Sequence, residues 1–169
     1  MAGGTKVRVH FIDTSVFTNI LDIPFMNDQR KEVMRELNKL IDNKEIEKLI
    51  LPLATIIETG NHIAHNGNGN QRRQAAERFC KVIRKTLEWE APWAYYGKQL
   101  QEEDLKTICG LFPDAAMRGE GFGDLSIINS YNKYKNETPA ISEIRIWSID
   151  SHMQDRYNEK LELPYTRNN

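Results

Sequence analysis

Four acidic residues stand at positions where strands end or helices begin: Asp13, Glu58, Asp124 and Asp150. Carboxylates gathered without paired cations repel one another and titrate abnormally, unless a hard divalent cation such as Mg²⁺ or Mn²⁺ sits among them. A cluster of this composition therefore predicts a metal site. The chemistry it suits is phosphodiester hydrolysis, in which a bound ion lowers the pKa of a water and offsets charge on the attacking and leaving oxygens. Each acid also has a plainer use. Asp13 and Asp150 fit as helix N-caps, Glu58 as the partner of Thr55 in a T-x-x-E capping box, and Asp124 as a first-turn acid favoured by the helix dipole.

The elements that must bring these acids together are legible as periodicity. Residues 6–13 alternate as a strand, and the apolar Ile12 beside Asp13 predicts burial on both faces near its end. A short helix over 14–21 follows, closed by Pro24. A second helix, capped by Asn27 or Asp28, places Val33, Leu37, Leu40 and Ile41 on one face and runs to about residue 43. K-L-I-L-P-L at 48–53 reads as a buried strand, with a helix opening at Thr55. H-N-G-N-G-N at 65–70 is turn chemistry. Residues 71–88 have the clearest helical period, with Ala75, Ala76, Phe79, Val82, Ile83 and Leu87 on one side. Further on, the pattern predicts a helix over 100–111, a loop through Pro113 and 119–123, and a helix opened by Asp124 whose Ile127, Ile128 and Tyr131 share a face. A strand over 144–149 and a short helix over 151–157 complete the pattern. Strands alternating with helices predict an α/β protein, three layers deep (α/β/α), around a mostly parallel central sheet. In such sheets functional groups collect at the carboxyl ends of the strands, where these acids fall. The 169 residues read as one domain with a polar C-terminal tail from about residue 160.

Four blocks in this order resemble the PIN-domain family of nucleases: V-H-F-I-D-T-S-V-F (9–17), L-P-L-A-T-I-I-E-T-G-N (51–61), G-F-G-D-L-S-I-I-N (121–129) and I-W-S-I-D (146–150). The last has Ser148 in the position of the family's closing Thr, and 66–119 is longer than in compact bacterial toxin members. The resemblance implies a PIN-like fold and a Mg²⁺- or Mn²⁺-dependent endoribonuclease that cuts single-stranded RNA, with DNA a second substrate it allows. It implies that Asp13, Glu58, Asp124 and Asp150 bind the metal, supported by Thr14 or Ser15 and by Ser148, with Asp155 a weaker fifth acid. Among the partners it allows are a second copy of the chain and, on a toxin-antitoxin reading, an antitoxin-like neutralising protein. Its alternative is a catalytically inert PIN-like module that binds RNA or protein.

Other features carry less. On the 71–88 helix, Arg73, Arg78, Lys81, Arg84 and Lys85 lie opposite the apolar stripe and could follow a phosphate backbone, or form a solvated face with Glu77 and Glu88. Trp93, Tyr95 and Tyr96 could stack on bases or pack a loop. Glu58, His62 and His65 share a helical face, which would allow zinc, but H-E-x-x-H is absent. Asn61 and Asn129 are candidate supports for the acids.

Exclusions are firmer. The formal charge of −1 gives no global nucleic-acid footprint, and at 28% charged and 40% hydrophobic residues the chain is globular in composition. No apolar run approaches the ~18 residues of a membrane span, and 1–9 lacks a signal-peptide core, so a cytoplasmic location is expected. Cys80 and Cys109 are expected as reduced, buried thiols. An aspartate-nucleophile phosphatase needs an Asp where Ser15 stands, and no G-x-G-x-x-G follows the first strand.

Overall fold

The central strand β1 (Val7–Ile12) is buried on both faces at its end, where Val9, His10, Phe11 and Ile12 are all buried. The computed structural model describes residues 6–96 and 100–161, with only the backbone of His152. Its elements run β1, α1 (Thr14–Ile20), α2 (Arg30–Asp42), β2 (Glu47–Leu51), α3 (Leu53–His65), α4 (Gly69–Leu87), β3 (Trp93–Tyr95), α5 (Glu102–Met117), α6 (Phe122–Glu137), β4 (Ile141–Trp147), α7 (Ser151–Arg156) and β5 (Asn158–Lys160). The five strands form one sheet in the order β3-β2-β1-β4-β5. All neighbours are parallel except β4 and β5. The expected α/β architecture with helices on both faces is thus present.

Alternation along the strands divides the core. Ile12, Leu49, Leu51 and Trp147 face a cluster completed by Val16, Phe17, Val33, Leu37 and Ile63 from α1, α2 and α3. Val9, Phe11, Ile50, Ile144 and Ile146 face the other, with Ile108 of α5, Ile127 and Tyr131 of α6, and Met153 of α7. Strands covered on both faces must be apolar on both, which is why β1 and β4 read as nearly continuous apolar runs near their ends.

Beside the first cluster lies a charged group at the opposite end of the strands from the acids. Arg145 Nε donates to His10 Nδ1 at 2.6 Å, and His10 Nε2 lies 2.6 Å from Glu47 Oε2. With Nδ1 accepting, the proton is on Nε2 and goes to Glu47. Arg8 also pairs with Glu47. Burial and the Arg145 charge hold His10 below its ordinary pKa.

Several boundaries differ from the sequence reading, each for a local reason. Pro52 caps α3, so β2 ends at Leu51 and the helix starts at Leu53 rather than Thr55. The T-x-x-E capping box does not form: Thr55, fully buried, donates from Oγ1 to Ile12 O at 2.7 Å, and Glu58 is taken elsewhere. α2 is capped by Gln29, because Asn27 turns its side chain to Asp22 Oδ1. α4 begins two residues early through an Asn68–Gln71 capping box. On α4 Leu87 is exposed and Thr86 is buried instead, accepting the indole N–H of Trp93.

α5 continues through Pro113 to Met117 instead of ending at Leu111, with the proline on an exposed stretch. β4 starts at Ile141 and ends at Trp147, which leaves Ser148 to Asp150 as a loop. β3 and β5, three residues each, were not expected as strands; Trp93 and Tyr95 belong to β3. Cys80 and Cys109 are exposed, not buried, on α4 and α5. The tail expected from residue 160 lies, beyond 161, outside the described residues.

The Thr55 bond ties α3 to the end of β1 one residue before Asp13. Replacing Thr55 by Val keeps the shape and strands a buried carbonyl, so Thr55→Val is expected to cost about 1–2 kcal/mol. Thr55→Ser should recover most of that in urea unfolding.

Candidate functional site

Asp13 ends β1 and is buried. Its backbone N–H donates to Trp147 O at 3.0 Å, which carries the β1–β4 pairing to the last residue of β4. Its side chain is then fixed from α1 and from the loop after β4: Ser15 Oγ donates to Asp13 Oδ2 at 2.8 Å and Ser148 Oγ to the same oxygen at 2.7 Å. The two hydroxyls lie 3.2 Å apart. They in turn accept backbone N–H groups, Ile149 to Ser15 and Asp150 to Ser148. Both serines contact Oδ2, so Oδ1 is outside these bonds.

Glu58 sits in the second turn of α3, and Thr14 Oγ1 donates to its Oε2 at 2.6 Å. Its carboxyl also lies over the backbone of Gly123 in α6, where a Cβ would overlap Glu58 Oε1 and Cδ. Gly123 is therefore the residue that lets α6 approach α3 with a glutamate between them. Asp124, the next residue, accepts from Gly121 N at 3.3 Å at the start of α6. Asp150 follows β4 on an exposed loop and lines a cleft of about 330 Å³ with Asp124, Glu120, Arg118, Gly119 and Met153.

The electrostatics tie the acids together. Burial pushes the Glu58 carboxyl above its ordinary range, against the Thr14 hydrogen bond and the His62 charge, and the Asp124 and Asp13 charges add to the rise. Burial likewise raises Asp124, against the Gly121 N–H, and Asp13, Asp150 and Glu120 raise it further. Each of the four acids thus acts on at least one other. As placed, Asp13 and Glu58 lean on hydroxyl donors and Asp124 on the Gly121 N–H. Among the described residues, no three His, Cys, Asp or Glu side chains stand in an arrangement that by itself could hold a metal ion. In donor chemistry alone the set is of the kind a hard cation takes: carboxylate oxygens, two of whose groups are destabilised as anions by burial and nearby negative charge.

The other expected site residues divide. Thr14, Ser15 and Ser148 are joined to the acids, whereas Asn61 is exposed. Asn129 donates to Asp104, at 3.2 Å, and does not support Asp124. His62 is half-buried and its charge reaches Glu58, while His65 and Asp155 are exposed. On α4 the five basic residues are exposed. Arg73 pairs with Glu77 at 3.1 Å, and Arg78 donates to Leu21 O and Asp22 O, which anchors the loop after α1. Two participants were not singled out from sequence. Glu120 faces Asp124 while bonded by Arg118 at 3.0 Å, and Gly123 seats Glu58. The G-F-G run before Asp124 was the available signal for the second.

Comparison with known proteins finds no matching family model, curated protein or solved structure.

Two outcomes follow from the crowding of charge. Asp124 is raised when folded, so its ionised form costs stability at neutral pH, and that cost is relieved as pH falls through the folded value toward the unfolded one near ~3.9. Asp124→Asn is isosteric and keeps an acceptor for Gly121, so thermal melts in EDTA should show a higher Tm for the variant at pH 7 and no difference near pH 4. Added Mn²⁺ should reverse the order by binding the intact acids. Gly123→Ala should swing Glu58 off Thr14 and toward water with little loss of stability, because the displaced atoms end a flexible side chain. In an NMR titration the Glu58 carboxyl should then move down toward its ordinary value.

Proposed function

We propose that this chain is a PIN-like, metal-dependent endoribonuclease that hydrolyses phosphodiester bonds in single-stranded RNA. The observation that carries the reading is the mutual influence of Asp13, Glu58, Asp124 and Asp150 where β1, β4, α3 and α6 meet. An inert scaffold gains nothing from like charges that raise Glu58 and Asp124 in this way. Mg²⁺ or Mn²⁺ would be held by these four carboxylates, and when bound would lower the pKa of a water and offset charge on the phosphate.

The protein's own groups have distinct tasks in this reading. Ser15 and Ser148 hold Asp13 Oδ2 from two directions, which fixes the carboxylate plane and directs Oδ1 to a ligand. Thr14 holds Glu58 in the same way through Oε2. Substrate phosphates need cations to approach such a site, and Arg118, on the rim of the cleft with Asp124 and Asp150, is a nearby source of positive charge.

The test is cleavage of an end-labelled single-stranded RNA, with the matching DNA alongside. Wild type should cut in Mn²⁺ or Mg²⁺ and stop in excess EDTA, and Asp13→Asn should lose turnover by orders of magnitude while melting as a folded protein. Turnover that persists in EDTA sinks the metal mechanism. RNA binding without cleavage in either metal would favour the inert binding module.

A further inference from the structure

We infer that Phe25, in the loop between α1 and α2, stacks on a base of single-stranded RNA at a subsite separate from the acids. The inference rests on the RNA-binding reading above for its ligand.

The loop is built in an unusual way. Phe25 has φ 66° and Asp22 φ 56°, both in the left-handed region. For a bulky residue such as Phe this backbone is a true outlier and is held only when the surroundings over-determine it. Here they do. Arg30 Nη1 donates to Asn19 O and Ile20 O, each at 2.6 Å. Arg78 reaches from α4 to Leu21 O at 3.2 Å and Asp22 O at 2.9 Å, Asn19 Oδ1 accepts from Gln29 N, and Asn27 closes onto Asp22. The strain does not serve burial, since Phe25 is 73% exposed at the end of it. An aromatic ring turned to solvent on an anchored loop offers a face for stacking.

The surroundings select a base as the occupant. Phe25 lines a depression of about 490 Å³ with Asp22, Asp28, Gln71, Gln74 and Arg78, roomy enough for one nucleobase. Arg78 gives its guanidinium to the Leu21 and Asp22 carbonyls, and the Asp28 carboxylate and Gln74 amide offer the acceptors and donors that the polar edge of a base matches. Phosphates would instead meet Arg72 and Arg73, exposed on the adjoining first turns of α4.

α3 connects this subsite to the acids. Glu58, His62 and Asn66 follow one another at i, i+4 and i+8 along one face, about 12 Å from first to last. The His62 charge reaches Glu58 at one end, and at the other Asn66 Nδ2 donates to His62 O and contacts Met26 Sδ at 3.5 Å, the residue after Phe25. A strand cut at the acids would reach Phe25 within a few nucleotides.

The experiment measures binding, not cleavage: fluorescence anisotropy of a short labelled single-stranded RNA with wild type, Phe25→Gly and Phe25→Trp in excess EDTA, with an RNA duplex for comparison. Phe25→Gly removes the ring and relaxes the left-handed backbone, so Tm should hold or rise while single-strand affinity falls about five- to a hundredfold. Duplex affinity should not change, and Phe25→Trp should bind as wild type does. Single-strand affinity within about twofold of wild type for Phe25→Gly overturns the inference, as does a wild type that binds no single strand. Because no metal is present, absent or EDTA-resistant turnover would fault the nuclease mechanism and leave this result standing. Cleavage that stays intact beside unchanged binding in Phe25→Gly would remove only the subsite.

Discussion

The site depends on one buried carboxylate that must be satisfied. Asp13 lies at the end of the central strand, away from most water, and a carboxylate in that position is stable only if hydrogen bonds replace the solvent it has lost. Ser15 and Ser148 supply them, one from the helix that follows β1 and one from the end of β4. The same two hydroxyls order the next loop by taking the N–H groups of Ile149 and Asp150. Satisfying one acid therefore fixes the backbone that presents another.

Around that fixed point the acids are kept near one another by packing. α3 is anchored to β1 through Thr55 and to α6 through the contact of Glu58 with Gly123. Gly123 has no side chain, so helix approach and carboxylate placement are the same event. The resulting burial and like charge raise Glu58 and Asp124 together. Around them the strand ends are packed by apolar residues on both faces, Ile12 and Trp147 on one and Phe11 and Ile146 on the other.

Much of this was legible before any coordinates. Strands and helices with strong periodicity, such as β1 and α4, were readable because burial imposes a repeating pattern on sequence. β3 and β5 were not, since three residues cannot display a period. Pro113 looked like a helix end, yet an exposed proline on α5 is carried through. Thr55 looked like a cap because its spacing to Glu58 matched one, whereas its hydroxyl is used by a strand forty-three residues earlier. Such long-range hydrogen bonds leave no local trace. Phe25 gave no signal either: a left-handed backbone at a single loop residue has no sequence period, and Arg78, which ties down the loop before it, is more than fifty residues away.

The strand order has a consequence for synthesis. β1 is made first but lies in the middle of the sheet, with β2 on one side and β4, more than 130 residues later, on the other. Until β4 emerges from the ribosome, one edge of β1 is open and Asp13 lacks Ser148. Asp150 comes later still. Asp13 and Glu58 can meet once α3 is made, but the hydroxyl of Ser148 and the carboxylate of Asp150 join them only when β4 has closed onto β1.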